Sequence, residues 1–531
     1  MSETEDNVQI CDPVLLNSFV IKNKRCRVYF HRGKLIWETD GSPYNRYTLF
    51  LADVIAVDYV HSTDKTLCCP SESQGYNQEE SKIAGDSNPG LSQRHTSFII
   101  HYGVRGKNNN KWRYQTVTMN HTDPRQIASW VKTIHNYTNS FTKRPKRIMV
   151  FVNPYGGKKK GLQIYEKRVK PLFELAGVHT TIIITQSANH ARDTLLSCSF
   201  DNIDAITCVG GDGTFAEVFN GLVLRTAKDK GIDQNDPEAI LPTPSLRVGI
   251  IPAGSTDTMA YCFHGTTDVL TAVLHIIFGD SVGLDLCSVH SNATLLRYYS
   301  SVISYGYLGD VVRDSEKFRW MGPKRYDYSG FKKFFANVGY DGEVSLLSDS
   351  SDPSKGPKCK DNCERCNNKQ HKGQRTKEAS AGGWKTFRGK FFMINGANVS
   401  CACVRSPNGI SPYCHLGDGC IDVLLIKHTN LLNNLRLLLT LTSKEKTLFD
   451  LPFVEVHRAR EFTFRALPTH TSQSESEPPQ LIPGRSVWNC DGEVQWETNI
   501  KIRGTCDTEA PSVRFLRLCG DSPLSVFAAE C

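Results

Sequence analysis

The stretch CVGGDGTFAEVFNGL, residues 208–222, places one carboxylate among three glycines at the start of an apolar helical pattern. Gly210, Gly211 and Gly213 let the backbone approach a ligand closely, and the first turn of a helix directs N–H groups at an anion. Asp212 would repel a phosphate held there unless it pairs with a metal or accepts a proton. Phosphoryl transfer to a hydroxyl needs such a base, so we predict that role for Asp212 in preference to helix capping.

Neither of two better-known phosphate-binding motifs explains this loop. The residues from Gly211 to Ala216 satisfy the dinucleotide pattern G-x-G-x-x-A, but the match stands alone and follows the third predicted strand of its domain instead of the first. No G-x-x-x-x-G-K-[ST] stretch occurs, which excludes a Walker-type kinase.

Four short apolar runs each end in a polar or glycine-rich turn, and helical patterns separate them. The runs with their turns are IMVFVNPYGGKKKG, TTIIITQSANH, IDAITCVGGDGTF and LRVGIIPAGSTD. This βαβ rhythm predicts a parallel sheet beneath helices. Because ligands of such sheets bind beyond the carboxyl ends of the strands, the sequence predicts one site assembled from these separated turns.

Residues 1–142 predict a small β-rich unit that ends in one helix. In DPRQIASWVKTIHNYT, Asp123 is a candidate N-cap and Pro124 fits the first helical position. The apolar face of this helix would carry Ile127, Trp130, Val131 and Ile134. Several strands followed by one helix with an inward Trp resemble a pleckstrin-homology (PH) domain.

Basic residues cluster near the first predicted hairpin of this unit: Lys22, Lys24, Arg25, Arg27, Arg32 and Lys34. The PH resemblance implies that this hairpin binds a phosphoinositide head group or another anionic membrane surface. A solvated basic face is the alternative. The formal net charge of +8 also favours an anionic partner, and we expect no nucleic acid among the partners.

From about residue 286 onward β-type runs dominate. The predicted fold is therefore multidomain α/β plus β, with a PH-like β-barrel and C-terminal helix over 1–142, an α/β parallel-sheet nucleotide domain over 143–285, and a mostly-β sandwich domain over 286–531. Composition predicts disordered inserts near 349–383 and 467–486.

The stretches VNPYGGKKKG, CVGGDGTFAEVFNGL, PAGSTD and WNCDGEV resemble the conserved blocks of the diacylglycerol kinase catalytic superfamily. Within it, the PH-like unit, SEKFRWMGPKRYDYSG, VSCACVRSPNGISPYCHLGDG and a Cys-x3-Cys-x2-Cys run are most similar to the ceramide kinases. The resemblance covers nearly the whole chain. It implies transfer of the ATP γ-phosphate, with Mg²⁺ bound to ATP, to the primary hydroxyl of ceramide, giving ceramide 1-phosphate.

The resemblance also implies roles for single residues. Asp212 would be the general base, and Glu493 would share the acid–base work or orient magnesium. The implied nucleotide contacts are Asn153, Pro154, Tyr155, Gly156, Gly157, Thr185, Glu217, Gly254, Ser255, Thr256, Arg319, Arg325, Asp491, Gly492 and Glu493. The implied substrate contacts are Gly210, Gly211, Asp212, Gly213 and Asp310, with Asp314 as the alternative register to Asp310. Surface charge is the alternative for the two arginines, and a strand residue beside a turn is the alternative for Glu493.

CKDNCERC places Cys359, Cys363 and Cys366 close together, with His371 a few residues on. Three thiolates and an imidazole can form a structural zinc site, although the second CxxC of a zinc ribbon is missing. Reduced thiols without a metal are the alternative. The sequence shows no signal peptide, so we expect its 19 cysteines to be reduced in the cytosol.

The Leu-rich stretch LLNNLRLLLTLTSKEK, residues 431–446, predicts either an amphipathic segment for lipid or calmodulin, or a buried helix of the last domain. The sequence contains no run of about 18 apolar residues, so it predicts no membrane span. Together with the family resemblance, this predicts a cytoplasmic protein that is peripheral on Golgi-type intracellular membranes and the plasma membrane.

Other functions compete with ceramide phosphorylation. Within the superfamily, sphingosine or diacylglycerol could be the acceptor. An NAD kinase shares GGDG, but the N-terminal unit and the late Cys-rich blocks count against it. A non-catalytic membrane-recruitment protein is the remaining alternative, although the phosphate loops and both carboxylates are intact.

Overall fold

The structure is a computed structural model. It describes residues 14–39, 46–60, 95–106, 110–157, 159–279, 281–322, 324–349, 356–359, 363–367, 383–467, 485–504 and 513–516. The chain divides into two compact units: Met1–Gly106 with Trp112–Thr142, and Lys107–Lys111 with Lys143–Cys531. No helix among the described residues is both long enough and apolar enough to cross a bilayer.

The first unit contains an antiparallel sheet followed by one helix, as the PH resemblance predicts. The described strands are β1 (Leu15–Ile21), β2 (Lys24–His31), β3 (Lys34–Thr39), β4 (Arg46–Phe50), β5 (Val54–Tyr59), β6 (Ser97–Arg105) and β7 (Trp112–Asn120), with a 3₁₀ turn at Leu51–Asp53. Their order in the sheet is β4-β3-β2-β1-β7-β6-β5.

Helix α1 (Pro124–Asn139) begins and packs as its sequence predicts. The Asp123 carboxylate accepts a hydrogen bond from the Arg125 backbone N–H at 2.9 Å, so it caps the first turn. The predicted apolar face is buried: Ile127, Trp130, Val131 and Ile134. The Trp130 ring meets the Phe19 ring edge-on at 5.1 Å, which joins the helix to the sheet core.

The basic cluster of the first unit divides between two hairpin turns. Lys22 and Asn23 form the two-residue turn between β1 and β2, and Arg32 and Gly33 form the one between β2 and β3. All four have positive φ, as a two-residue hairpin turn of this hand requires. At about 3.3 Å per residue, β2 separates the two turns by roughly 25 Å, so the six basic residues cannot surround one head group.

The second unit begins with the predicted parallel sheet. Its first elements are β8 (Arg147–Val152), α2 (Gly161–Ile164), a π-helical turn (Tyr165–Val169), α3 (Lys170–Leu175), β9 (His179–Ile184), α4 (His190–Ser197), β10 (Ala205–Gly210), α5 (Asp212–Asp229), β11 (Arg247–Pro252), α6 (Thr258–His264), α7 (Val269–Phe278) and β12 (Ser281–Leu284). The strands β11-β10-β8-β9 are adjacent in this order and parallel. The apolar pattern after the GGDG loop forms the buried face of α5, which comprises Phe215, Val218, Phe219 and Leu222.

The rest of the second unit is mostly β, as predicted. It comprises β13 (Cys287–Ser291), β14 (Thr294–Tyr299), β15 (Val302–Gly306), α8 (Tyr307–Ser315), a 3₁₀ segment (Glu316–Met321), α9 (Lys324–Ala336), β16 (Tyr340–Ser348), α10 (Glu364–Asn367), β17 (Trp384–Ala397), β18 (Ile421–Lys427), α11 (Leu431–Thr442), a 3₁₀ turn (Leu448–Asp450), β19 (Val454–Ala466), β20 (Trp488–Cys490), β21 (Glu493–Gln495) and β22 (Ile500–Gly504). The path β14-β13-β22-β19-β16-β17-β15-β20-β21 forms one sheet, and β18 pairs with both β17 and β19. Because β16 also pairs with both of these strands, β16 to β19 close into a small barrel.

The last described strand, β23 (Val513–Leu516), lies in the first sheet of this unit. It is parallel to β11 and antiparallel to β12. This strand therefore joins the sheet that carries the glycine-rich turns. The domain boundary at residue 285 stays a prediction. Most of 349–383 and 467–486 lies outside the described residues, although α10 falls within the first stretch.

Candidate active site

The turns that follow β8, β9, β10 and β11 lie at one edge of the sheet, because these strands are parallel and adjacent. Three of the turns touch through glycine. A Cβ added to Gly254 would lie 2.5 Å from the Gly211 Cα, and one added to Gly157 would lie 2.6 Å from the Gly254 carbonyl carbon. Side chains at these positions would push the turns apart. The glycines therefore allow three separate backbone segments to form one surface.

Asn153 fastens the first turn to helix α5. Its side-chain oxygen accepts hydrogen bonds from the backbone N–H groups of Tyr155 at 2.9 Å and Gly156 at 3.0 Å. Its Nδ2 donates to the Thr214 Oγ1 at 2.8 Å. Asn153 thus holds the backbone of this loop in place, so its role in a phosphate site is to position the loop.

The other predicted residues of these turns differ in exposure. Tyr155, Ser255 and Thr256 are exposed, whereas Pro154 is half-buried. Thr185 is buried at the end of β9, and its backbone N–H donates to the Val152 carbonyl at 2.9 Å. The exposed hydroxyls of Ser255 and Thr256 can reach a ligand directly, but the buried Thr185 supports the strand end.

Asp212 stands at the first position of α5 and accepts hydrogen bonds from the first turn of α6. The backbone N–H of Met259 donates to Oδ1 at 2.8 Å, and that of Thr258 donates to Oδ2 at 3.1 Å. Burial raises the pKa of the Asp212 carboxyl, the two N–H groups oppose the rise, and the charge of Asp491 adds to it. A carboxyl with a raised pKa is a better proton acceptor than an ordinary aspartate.

A second carboxylate, Asp257, lies beside Asp212, although no motif in the sequence assigned it a role. Its backbone is left-handed, with φ of 53°, and its Oδ1 accepts from the Gly254 N–H at 2.8 Å. Burial raises the pKa of Asp257 to about 6, N–H groups of Gly254 and Ala253 oppose this, and the charge of Asp212 adds to it. An acid closing PAGSTD, directly before a helix, was the signal that could have identified it.

Asp491 is held tightly by the chain leading into β15. Its carboxylate accepts from the backbone N–H groups of Ser300 at 2.8 Å, Ser301 at 2.9 Å and Val302 at 3.2 Å, and from the Ser300 and Ser301 hydroxyls. These five bonds occupy its lone pairs. Its predicted contact with nucleotide stays a prediction, while its geometry makes it an anchor for the turn that carries Gly492 and Glu493.

Asn220 connects α5 to this anchored region. Its side chain exchanges two hydrogen bonds with the Tyr298 backbone, from Nδ2 to the carbonyl and from the Tyr298 N–H to Oδ1, both at 3.0 Å. Tyr298 lies two residues before Ser300 in the chain. The helix that begins with Asp212 is therefore tied to the segment that holds Asp491.

Glu493 lies in a polar cavity of about 360 Å³, together with Glu217, Arg297, Arg192 and Asn189. Its carboxylate accepts from the Arg297 Nη1 at 2.5 Å. Burial raises the pKa of Glu217, N–H groups of Asn189 and Ala191 oppose this, and the Glu493 charge adds to it. The structure thus brings Glu493 together with Glu217, and its share in acid–base work stays a prediction.

Arg297 is a cation of the site that belongs to none of the sequence motifs. Only 10% of its side chain is exposed, and it lies within the otherwise uncharged strand segment TLLRYY. A charge inside such a strand was the signal that could have revealed it.

Two arginines were predicted to contact the nucleotide. Arg325 bonds Glu316 at 3.1 Å and the Tyr326 hydroxyl at 2.6 Å. The side chain of Arg319 lies outside what the structure describes.

The two acids considered as substrate contacts differ in their partners. Asp310 accepts hydrogen bonds from Arg313 at 2.8 Å, from Ser486 at 2.8 Å and from the Tyr340 hydroxyl. Asp314 is also buried, but its Oδ2 has no hydrogen-bond partner among the described residues, and its nearest cations are Lys317 at 3.7 Å and Lys332 at 3.8 Å. In the part of the chain that the structure describes, the buried Oδ2 of Asp314 thus has only the Lys332 ion pair, whereas the carboxylate of Asp310 accepts three hydrogen bonds.

We predict that Gly254→Ala lowers the melting temperature of the protein and weakens ATP binding, because the new methyl group must displace Gly211. Gly389→Ala, in β17 and away from the turns, is the matched control, since its added Cβ would make only an ordinary contact of 3.7 Å with the Phe391 ring. Calorimetry without nucleotide measures the first effect, and ATP titration measures the second. An unchanged melting temperature for Gly254→Ala would contradict the glycine contact.

Three family models match consecutive parts of the chain. The ceramide kinase PH domain matches residues 15–134, the diacylglycerol kinase catalytic domain matches 147–289, and the ceramide kinase C-terminal domain matches 300–506. A diacylglycerol kinase structure from Bacillus anthracis str. Sterne aligns over 70% of this chain and 97% of its own, with 14% identity and a TM-score of 0.42.

Two named relatives are similar over most of their length. The ceramide kinase of Homo sapiens is 41% identical over 77% of this chain and 81% of its own. The ceramide kinase of Mus musculus is 38% identical over 92% of this chain and 94% of its own. The resemblance seen in the sequence is confirmed, and the chain belongs to the ceramide kinase family.

Proposed function

We propose that this protein is an ATP-dependent ceramide kinase, which transfers the γ-phosphoryl group of ATP to the primary hydroxyl of ceramide. The observation that carries the proposal is Asp212, a carboxyl with a raised pKa at the edge where three glycine turns meet. Membership of the ceramide kinase family supports the identity of the acceptor.

ATP is proposed to bind with its phosphates on the glycine turns. The first turn of α5 and the exposed hydroxyls of Ser255 and Thr256 offer donors, and the exposed Lys159 and Lys160 add positive charge. The cavity that contains Glu217 and Arg297 adjoins the second turn of α5, so we assign it to the nucleoside part of ATP.

The donor set also fits magnesium bound with ATP. Asp257 and Asp212 lie close enough for the charge of one to raise the pKa of the other, and carboxylate oxygens are the ligands that Mg²⁺ prefers. We propose that Asp257 holds this ion. When bound, magnesium supplies charge neutralisation of the phosphates.

The proposed reaction begins with the lipid hydroxyl near the free lone pairs of Asp212. The carboxylate accepts the hydroxyl proton as the oxygen forms a bond to the γ-phosphorus. The bond from this phosphorus to the β–γ bridging oxygen breaks, so ADP leaves and ceramide 1-phosphate forms. The N–H groups of Thr258 and Met259 keep the carboxylate in place during this transfer.

We propose that Asp314 contacts the polar head of the acceptor, because its Oδ2 is buried and has no hydrogen-bond partner in the described part of the chain. The amide N–H and the secondary hydroxyl of ceramide are donors that match such an oxygen. Asp310, which the family resemblance favoured, would then act by fixing α8 through Tyr340 and Ser486.

An apolar surface beside α8 suits a substrate that lies in a bilayer. Helix α9 exposes Phe331 and Phe335, and helix α11 exposes Leu432 and Leu439, which are 57–71% exposed. The two helices adjoin where the Asn434 Nδ2 donates to the Asn337 Oδ1 at 2.7 Å. Large exposed apolar groups near Lys332 and Arg436 are typical of a surface that enters the membrane interface.

The first unit is proposed to add an electrostatic contact with anionic lipid. Lys22, Lys24, Arg25 and Arg27 are exposed at or near the β1–β2 turn. Arg32 and Lys34 belong to the opposite turn and are left out of this site. We propose phosphoinositide as the preferred head group, and Golgi-type membranes and the plasma membrane as the sites of a cytoplasmic, peripheral enzyme.

Calmodulin is the second candidate partner for α11. The exposed leucines of this helix are followed by Lys444 and Lys446, which are also exposed. A basic amphipathic helix of this kind fits the groove of calmodulin as well as a bilayer. Both partners would use the same leucines, so calcium-loaded calmodulin would release the protein from vesicles that it binds through α11.

The proposed function is tested by a phosphoryl-transfer assay with purified protein, magnesium and labelled ATP. Ceramide, sphingosine and diacylglycerol are offered separately in mixed micelles. We expect product from ceramide, and we expect Asp212→Asn to lower the rate by at least about a hundredfold while ATP still binds, because the base is lost.

Asp229→Asn is the matched control for this substitution, because Asp229 ends the same helix and pairs with Arg225 at its exposed C-terminal end. Its rate should stay near that of the unchanged protein. Undiminished turnover by Asp212→Asn would refute the base, and product from another lipid alone would refute ceramide as the acceptor.

The membrane contacts are tested by sedimentation with vesicles that contain phosphatidylinositol phosphate. Lys22→Glu with Lys24→Glu should weaken binding at low salt, since charge repulsion replaces attraction, and this loss should shrink as salt rises. Phe331→Ser with Phe335→Ser should weaken binding at all salt concentrations. Arg32→Glu with Lys34→Glu is the control pair at the opposite turn, and an equal loss from this pair would contradict the assigned site.

A further inference from the structure

Three cysteines and one histidine converge outside the active site. Cys359, Cys363 and Cys366 lie on and before the short helix α10, and His415 lies in the loop that precedes β18. Their sulfur and nitrogen atoms all lie within 4.8 Å of one another. The chain thus brings together ligands that are about 50 residues apart in sequence.

The spacing of these atoms fits a tetrahedral zinc ion. The Cys359 and Cys366 sulfurs are 3.7 Å apart, and the His415 Nδ1 is 3.2 Å from the Cys363 sulfur and 3.9 Å from the Cys366 sulfur. Zinc with Zn–S near 2.3 Å and Zn–N near 2.0 Å places its ligand atoms about 3.5–3.8 Å apart. The sulfur separation is far longer than a disulfide of about 2.05 Å.

The surroundings of the four side chains stabilise metal-bound thiolates. The backbone N–H of Leu416 donates to the Cys359 sulfur, and that of Cys366 donates to the Cys363 sulfur. The loop and the helix are also joined by an Arg365–Asp418 bond of 2.5 Å. Hydrogen bonds to ligands and a preformed scaffold are typical of structural metal sites.

We propose that Cys359, Cys363, Cys366 and His415 bind one structural zinc ion. Four protein ligands close the coordination sphere, so the ion has no open position for a substrate and serves to hold the fold. The sequence offered His371 as the fourth ligand, but His371 lies outside the described residues and His415 supplies the imidazole here.

The zinc would support the loop that packs on helix α6. Within this loop, Ser400 and the Ala402 carbonyl contact the Cys262 sulfur of α6 at 3.6 Å and 3.7 Å. The same helix begins with the N–H groups of Thr258 and Met259, which bind Asp212. The metal is thereby connected, through the loop and α6, to the carboxylate of the active site.

The test is the metal content of the full chain, purified without a histidine tag or chelator. We expect about one zinc per chain, measured by mass spectrometry of the elements. His415→Ala and Cys363→Ser should lose most of the zinc, whereas His371→Ala and Cys403→Ser should retain it. Zinc retained by His415→Ala, or an unchanged protein without zinc, would overturn the proposal.

A second measurement guards against variants that do not fold. The unchanged protein, loaded with Co²⁺ in place of zinc, should show the strong visible absorption of a tetrahedral sulfur-rich site. Removal of zinc by a chelator should lower the melting temperature, and zinc but not magnesium should restore it. A disulfide among the three cysteines in the protein as purified under reducing conditions, before any chelator is added, would overturn the site. These readouts do not depend on the lipid acceptor, so failure of the proposed function would leave them unchanged.

Discussion

The close approach of Gly211 to Gly254 is the contact on which the candidate site depends. Parallel strands bring several turns to one edge of a sheet, but turns with side chains would stand apart there. A methyl group on either glycine would overlap the backbone of the other turn. Because both positions lack Cβ, the GGDG and PAGSTD segments share one surface, and Asp212 reaches across it to the first turn of α6.

The same contact creates the electrostatic environment of Asp212. A carboxylate that receives two backbone N–H groups would ordinarily have a lowered pKa, but burial outweighs these bonds and raises the pKa instead. Asp257 is brought near by the PAGSTD turn, and Asp491 is fixed by five hydrogen bonds in the neighbouring β region. The Asn220 bonds to Tyr298 join the helix of Asp212 to that region. Segments of both sheets of the second unit therefore contribute to the raised pKa of Asp212.

The sequence predicted those parts of the molecule that depend on local pattern. Short apolar strand runs, the Asp123 cap and the glycine turns are local features, and the structure has them as predicted. Features that depend on distant pairing were missed. His415 joins the cysteines from about 50 residues away, Arg297 meets Glu493 across strands, and the short strand β23 returns to the first sheet. The choice between Asp310 and Asp314 as the substrate contact also required the hydrogen-bond partners of each carboxylate, which sequence spacing does not reveal.

The measurement that tests the account most directly is the pH dependence of kcat/KM for ceramide, with and without Asp212→Asn. Transfer needs ionised Asp212, so activity should fall as pH drops through its raised pKa, above the ordinary aspartate value of about 3.9. Asn cannot take up this proton, so the residual activity of the variant should lack the acid limb. An acid limb at or below the ordinary aspartate value, or one that the variant keeps, would contradict Asp212 as the base in this carboxylate cluster.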